Sequence, residues 1–271
     1  MGVIGGLRSL TVLVLLTLYA PAQDVATIIQ RSIDANKRDW QAAPRFDNSE
    51  RDRTKDGDKT YAVTMLFGSP CQRLIAINGQ PLNPAQQRTE DEKFAKVKLQ
   101  RQRESPEERS RRIAKYEADR KRDSIMMEQM TTAFDFRLLG DQTLNGREVY
   151  VLKATPRRSY QPPNRDSKVL TGMEGTLWID HETFQWVKVE AHVTRPVSIE
   201  GFLAQVEPGT QFELEKEPVS EDVWLASHFS MKSAARVMHF FWRRGQEDDT
   251  YFDYHKTAGV SDGESSNNRK Q

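Results

Sequence analysis

The side chains best suited to acid/base or metal chemistry are five histidines and one cysteine, because these groups ionise or bind metals near neutral pH. The histidines are His181, His192, His228, His239 and His255. None stands in a His-x-x-x-His spacing, and no Cys-x-x-Cys pair exists. His192 and His228 fall on the polar side of alternating segments, where solvation or hydrogen bonding is the expected role. The sequence therefore predicts no metal site and no cofactor.

Nucleophilic and phosphate-binding motifs are also missing from the chain. There is no Gly-x-Ser-x-Gly, no phosphate-binding glycine loop and no dinucleotide fingerprint. Cys71 opens the apolar run 71–77 and is predicted to be a small buried residue. Glu213, Glu215 and Glu217 share one face of a predicted strand, which is typical of the solvent side of a sheet. We therefore expect no catalysis.

A strict alternation of apolar and polar residues from Val187 to Val193 predicts a strand with one buried face. On that basis Val187, Val189 and Ala191 share a face. In the preceding segment 175–179, Leu177 and Ile179 share a face and Trp178 points to the other side. The polar loop 180–183 joins the two segments, which indicates a hairpin.

Further segments carry the same strand signals, and turn residues separate them. They are 60–67, 71–77, 134–139, 147–155, 197–206, 210–217, 223–234, 237–242 and 250–256. Asn145-Gly146, Glu207-Pro208-Gly209 and Arg244-Gly245-Gln246 are the main turn signals between them. Their close spacing predicts one large antiparallel sheet with one wet side, in an α+β protein.

The segment that begins at Asp24 predicts an amphipathic helix, because apolar residues recur at helical spacing as far as Ile33 and Asp24 can cap the first turn. Residues 36–59 are rich in charge and include Pro44 and Gly57. They predict an exposed connection or a short edge strand near residues 45–51.

Residues 84–130 predict two successive helices that form an insertion. Asn83 precedes Pro84, and Ser105-Pro106-Glu107-Glu108 has the pattern of a capping box. Few apolar residues lie between 88 and 123, so we expect a solvated surface on which changing Arg111 and Arg112 to Gln alters stability by less than about 0.5 kcal/mol. Met127 and Met130, near the end, suit contact with a sheet or with an apolar ligand.

The N-terminus predicts export through a cleaved signal peptide. A short apolar run, 10–18, is followed by Ala20-Pro21-Ala22, a small-x-small cleavage pattern. A retained membrane anchor is the alternative. Residues 1–22 hold one arginine, Arg8, and no acid, so the rest of the chain has 39 basic and 39 acidic side chains. This balance argues against a nucleic-acid partner.

One domain, 23–257, is expected after the signal peptide, with a disordered tail at 258–271 because that segment is rich in Gly, Ser, Asn and charge. A lone cysteine cannot form an internal disulfide in an oxidising compartment. The core must therefore hold the domain together.

Four motifs resemble uncharacterised secreted bacterial proteins related to the outer-membrane lipoprotein-sorting (LolA-like) family. They lie at 63–70, 74–82, 145–156 and 173–180, within a resemblance that spans most of residues 25–256. The resemblance implies an incomplete β-barrel, with a curved antiparallel sheet whose concave side is covered by helices. The lipoprotein carrier of that family accepts acyl chains on this side. The charged insertion at 84–130 is a departure from the carrier.

We expect a non-catalytic periplasmic protein that binds a lipid or lipoprotein acyl chain, with a role in outer-membrane lipoprotein or lipid trafficking, and that is not an integral membrane protein after cleavage. The candidate apolar groove comprises Leu177, Ile179, Val187, Val189, Ala191, Met127 and Met130. An envelope regulatory or assembly module that binds another protein, with its concave face filled by its own helices, is the alternative, and a hydrolase comes third.

Overall fold

The computed structural model describes residues 24–199, 204–237 and 241–257. The predicted signal peptide, 1–22, and the predicted tail, 258–271, lie outside these residues. The helices are α1 (Val25–Ala42), α2 (Pro84–Gln102) and α3 (Pro106–Ala133), with short 3-10 helices at Ala43–Arg45 and Asp166–Gly172. No helix within these ranges is long and apolar enough to span a membrane.

Thirteen strands make up the rest of the part of the chain that the structure describes. They are β1 (Phe46–Thr54), β2 (Gly57–Leu66), β3 (Ser69–Ile77), β4 (Gln80–Pro81), β5 (Phe134–Leu144), β6 (Arg147–Pro156), β7 (Met173–Asp180), β8 (Trp186–Val193), β9 (Val197–Ser198), β10 (Ala204–Val206), β11 (Gln211–Pro218), β12 (Trp224–Val237) and β13 (Phe241–Lys256).

All the described strands join one curved, unclosed antiparallel sheet, which confirms the predicted α+β class. Its order is β4-β3-β2-β1-β13-β12-β11-β8-β7-β6-β5, and β10 adds to β12 and carries β9. The two ends are β4 and β5. The first and last strands, β1 and β13, pair with each other in the interior of the sheet.

Four local predictions were wrong. Residues 46–54 form a strand inside the sheet, between β2 and β13, and not an edge strand or a connection. The helix predicted to fade after Ile33 continues to Ala42, and Asp24 makes no side-chain cap hydrogen bond. The turn predicted at 244–246 lies within β13, where Gly245 pairs with Ser233. A Cβ on Gly245 would lie 2.8 Å from the Ser233 hydroxyl, so glycine serves a close approach there.

The two helices of the insertion begin where the sequence predicts. The Asn83 side chain accepts hydrogen bonds from the backbone of Ala85 and Gln86, and Ser105 and Glu108 form the predicted capping box. Polar caps of this kind satisfy amide groups that a helix start leaves unpaired.

Helix α3 runs from one end of the sheet to the other. Near its start, Arg112 bonds to the β2–β3 turn; in its middle, Arg120 lies over the Trp40 ring of α1; at its end, Ala133 leads directly into β5. At 28 residues it is about 42 Å long. It therefore links the β3 side of the open sheet to its β5 edge.

A single large cluster of buried residues fixes α1 against the sheet. Ile28 and Ile29 of α1 pack with Leu152, Leu177 and Ile179 of β6 and β7, and all five are 5% exposed or less. Burial of such side chains contributes about 1.5–3 kcal/mol each. We call this the first cluster.

Polar residues extend the attachment of α1 beyond its apolar part. Asp39 forms a buried ion pair with Lys216 of β11, with 2.5 Å between the oxygen and the ammonium nitrogen. Lys216 also donates to Asn36, and the second Asp39 oxygen accepts from the Gln185 amide and the Trp224 backbone. Desolvation lowers the pKa of Lys216, and the Asp39 carboxylate opposes that shift. Because each charge has a close partner, this end of α1 is held by charge-assisted bonds.

Candidate functional site

Six of the seven predicted groove residues come together on the α1 side of the sheet. Leu177, Ile179, Val189 and Ala191 are buried in the first cluster, and Met127 and Met130 of α3 are partly buried against it. The four strand residues are at most 8% exposed. This part of the concave face is therefore filled by the helices of the protein itself.

Val187, the seventh predicted groove residue, does not lie on the α1 side of the sheet. It belongs to a second cluster, with Val149, Val151 and Trp224, while Trp186 lies in the first. The cause is a bulge in the β7–β8 pairing, where Ile179 is opposite Trp186 and Trp178 is opposite Lys188. An extra residue in a strand reverses the side-chain alternation locally. The outer face of the sheet is consequently not entirely wet, as the alternation had suggested.

Beyond α1, the same face continues over β12, β13, β1 and β2. A third buried cluster, Ala42, Phe46 and Leu225, fills the part of β1 and β12 that lies beside the end of α1. Leu214 of β11 packs against the first cluster and is directly opposite Phe229 of β12, with Met231 two residues further on. Directly opposed residues share a face. The pairing register continues this face across β13 and β1. Tyr251 of β13 and Tyr61 of β2 are both directly opposite Glu50 of β1, one on each side. We call the surface over β12, β13, β1 and β2 the trough.

The trough is lined by apolar and aromatic side chains that are only half-buried. Tyr61, Phe229, Met231 and Tyr251 all retain intermediate exposure. Helix α3 passes one end of it, where the Tyr116 hydroxyl lies 4.0 Å from the Met65 sulfur. From β2 to β12 the trough crosses three strand spacings, about 14 Å. It is thus a surface large enough for an extended apolar group.

Four carboxylates, Glu50, Asp52, Glu247 and Asp249, stand among these residues, and the pKa of two of them is raised. Desolvation, followed by the charges of Glu247, Glu50 and Asp52, raises the pKa of Asp249 to about 7. Asp249 itself is 5% exposed. Desolvation likewise raises the pKa of Glu50, and burial together with the Asp249 charge raises that of the Tyr251 phenol. A neutral Asp249 keeps the trough less charged near neutral pH than its composition suggests.

Among the described residues, the histidines and the cysteine lie apart from one another; His239 lies outside these residues. The ring of His181 stacks on Tyr150 and its Nε2 lies 3.2 Å from Asp141, while Nε2 of His228 lies 3.3 Å from Asp248. Cys71 is buried, as predicted. Within the part of the chain that the structure describes, no three His, Cys, Asp or Glu side chains are placed to hold a metal ion.

Two surface clefts near α1 and the outer face are polar. One of about 370 Å³ is lined by Glu190, His192 and Lys232 among others, and one of about 580 Å³ by Arg31 and Arg38 of α1 and the β7–β8 loop. In the first, Lys188 bridges to Glu213 nearby. Burial opposes the Lys188 charge, but hydrogen bonds to Glu213 and Glu190 outweigh it and raise its pKa. The polar linings of these two clefts do not suit an apolar ligand.

The sequence contained part of the signal for the trough. Phe229 and Met231 alternate with polar neighbours, and Tyr251 follows an acidic run. What could not be read from the sequence is that β13 pairs with β1, which brings Tyr251 beside Tyr61.

Comparison with known proteins gives solved structures that cover most of the chain at low similarity. A putative outer membrane lipoprotein-sorting protein domain from Vibrio parahaemolyticus is 13% identical, covers 86% of this chain and 95% of its own, and gives a TM-score of 0.31. A LolA superfamily protein from Nitrosomonas europaea is 12% identical, covers 89% and 96%, and gives 0.33. A chain of the MucA/MucB complex of Pseudomonas aeruginosa is 12% identical, covers 84% and 99%, and gives 0.21.

No protein family model and no curated protein sequence matches the chain. Lipoprotein-sorting proteins, which the sequence motifs resemble, are among the low-similarity structural matches.

Proposed function

We propose that this protein binds an acyl chain, of a lipid or of a lipoprotein, in the trough, and that it does so in the periplasm without catalysis. One observation carries the proposal: the concave face is packed solid beneath α1, but away from α1 it presents half-buried aromatic and apolar side chains, Tyr61, Phe229, Met231 and Tyr251, over β12, β13, β1 and β2. The predicted ligand site therefore moves from the β7–β8 hairpin to the neighbouring half of the sheet.

The chemistry of the trough suits such a ligand. Phe229, Met231 and the two tyrosines offer apolar area that a chain of methylenes would remove from water, at about 25 cal/mol per Å². Methionine adapts to ligands of varied shape. The raised pKa of Asp249 leaves this carboxyl largely protonated below about pH 7, so an acyl chain would not have to bury its charge.

Titration of a fluorescent fatty-acyl probe tests the proposal. Met231→Gln should weaken probe binding because it places an amide in the trough, whereas Lys232→Gln, on the adjacent exposed residue, should leave it unchanged. Circular dichroism confirms that both variants fold. Equal affinity for the two variants would refute the trough as the ligand site.

The pH dependence of the same titration provides a second readout. Affinity for the probe should fall as pH rises through about 7, because ionisation of Asp249 adds charge to the trough. The Asp249→Asn variant should show no such fall.

Protein binding at a sheet edge is the second candidate function. Strand β5 pairs with β6 and with no further strand among the described residues, and its Leu139 is 49% exposed. An edge of this length can accept a strand from a partner. Replacing Leu139 by Pro should then abolish partner binding and leave acyl-probe binding intact, which separates the two functions.

A further inference from the structure

The turn between α2 and α3 and the β2–β3 turn meet at one corner of the molecule. Arg101, in the last turn of α2, donates hydrogen bonds to the carbonyls of Leu66, Ser69 and Pro70. Arg112, in the second turn of α3, donates to the Ser69 hydroxyl and the Phe67 carbonyl. We call residues 98–115 together with Phe67 and Gly68 the basic corner.

The contacts at the corner hold it rigid. Gly68 packs so closely under α3 that a Cβ there would lie 2.8 Å from the Ile113 side chain. Phe67 adopts a positive φ of 52°, which residues other than glycine and asparagine rarely do. The Arg112 guanidinium forms a 2.6 Å ion pair with Glu104. The two turns are thus presented as one preformed surface.

This surface carries an excess of positive charge without partners. Residues 98–115 contain seven basic and three acidic side chains. Only Arg112 and Glu104 form an ion pair within this segment of the described chain. Five basic residues of the segment are exposed and join no ion pair with a described residue: Lys98, Arg103, Arg109, Arg111 and Lys115. Further along α3 the pattern differs, since Arg120 pairs with Glu117 and Arg122 with Asp119.

Exposed apolar side chains accompany the charge. The described residues expose three large hydrophobic side chains, and two of them lie here: Phe67, 37% exposed, and Leu99, 45% exposed. The Arg109 guanidinium lies 5.9 Å from the centre of the Phe67 ring. Exposed cations beside exposed apolar groups suit the interface of an anionic bilayer, where the cations contact phosphates and the apolar groups enter the acyl boundary.

We propose that the basic corner docks the protein on the surface of an anionic phospholipid membrane. The arginines and lysines contact the headgroups, and Phe67 and Leu99 enter the interface. A soluble polyanion would satisfy the cations but would give Phe67 and Leu99 no apolar contact. The proposal goes beyond ligand binding in the trough and does not depend on it, because the exposed cations and apolar side chains of the corner are not among the residues that line the trough.

Sedimentation with lipid vesicles tests the proposal on the full chain. The protein should bind vesicles of phosphatidylcholine mixed with phosphatidylglycerol, should not bind phosphatidylcholine alone, and should dissociate when salt is raised. Arg109→Gln with Arg111→Gln should weaken binding about thirtyfold, the factor expected for two cations near a charged bilayer.

Two further variants distinguish the sources of binding. Lys55→Gln with Lys168→Gln removes the same charge elsewhere and should leave binding unchanged, since Lys55 follows β1 and lies about 30 Å along β2 from the corner. Phe67→Asn keeps the charge and suits the positive φ, yet should also weaken vesicle binding.

Three results would overturn the proposal. The first is no binding to anionic vesicles. The second is an equal loss of binding from the control pair of lysines. The third is vesicle binding that Phe67→Asn leaves unchanged, together with arginine-dependent binding to an acidic polypeptide. The last would identify an acidic protein as the partner of the corner instead.

Discussion

Changing Asp249 to Asn should stabilise the protein more at pH 8 than at pH 5. The carboxyl is buried beside Glu50, Asp52 and Glu247, with only exposed Lys59 as a basic residue on the facing strand positions, and its pKa rises from 3.8 to about 7. A raised folded-state pKa means that the native protein holds a proton which the unfolded chain has released. The associated stability is present at low pH and is lost as pH rises through the folded pKa.

The magnitude follows from the two pKa values. At pH 5, the difference between the unfolded and folded pKa values already lowers the stability by the equivalent of about one pH unit. At pH 8 it lowers the stability by the full difference of about three units. The remaining two units correspond to about 2.7 kcal/mol at 1.36 kcal/mol per unit. Part of this energy is shared with the three neighbouring acids, because their charges interact with that of Asp249. We therefore expect the gain from Asp249→Asn to be about 2 kcal/mol larger at pH 8 than at pH 5.

Urea unfolding of the parent and the variant at the two pH values measures this difference. Taking the difference between pH values cancels the packing effect of an amide, which is the same at both. Asp253→Asn is the matched control, because Asp253 lies on the same strand, is exposed and has a positive φ that asparagine adopts. If Asp249→Asn had the same effect at pH 5 and pH 8, the carboxyl would already be ionised at pH 5 and the account of the trough would fail.

Three other predictions concern packing and stability. Arg112→Gln should cost more than about 1 kcal/mol in urea unfolding because it leaves the buried Ser69 hydroxyl unpaired, whereas exposed Arg111→Gln should stay within about 0.5 kcal/mol; equal effects would contradict the docking of α3. Asp39→Ala should cost about 3–5 kcal/mol by isolating the buried Lys216 ammonium, and Asp39→Leu combined with Lys216→Met should cost less than the single change; a costlier double variant would count against this. Val189→Asp should unfold the protein, as seen by circular dichroism, because Val189 is packed in the first cluster; a folded variant would reopen the β7–β8 hairpin as a ligand site.

The structure corrects the expectation that the whole insertion is solvated. Arg112 bonds to the β2–β3 turn and to Glu104, so the small stability effect expected from the sequence for Arg111 and Arg112 is now expected for Arg111 alone. Arg111 remains exposed. Sequence counts of charge cannot distinguish a guanidinium that caps a neighbouring turn from one that faces water.

Local signals were sufficient for much of the fold. The caps at Asn83 and Ser105 fixed both helix starts, and the alternation in β7 and β8 placed Leu177 and Trp178 on opposite faces. These features depend on residues a few positions apart. They are therefore present in any short window of sequence.

Long-range contacts explain the failures. Helix α1 buries the polar residues Asn36 and Asp39 in its last turns, so its apolar periodicity stops while the helix continues. The bulge that turns Val187 to the outer face depends on the partner strand. The trough requires β1 to pair with β13, which begins nearly two hundred residues later. Neither a window of sequence nor a composition contains such information.

The central position of β13 makes the continuity of the sheet depend on one strand. Without residues 241–256 the strand order would separate into two groups, β4-β3-β2-β1 on one side and β12 through β5 on the other. Each would expose an unpaired strand where β13 lies, and neither would have a complete trough. The last strand of the chain thus joins the two halves, so a complete trough and the hydrogen bonds of β13 on both its sides require each half to be paired with it.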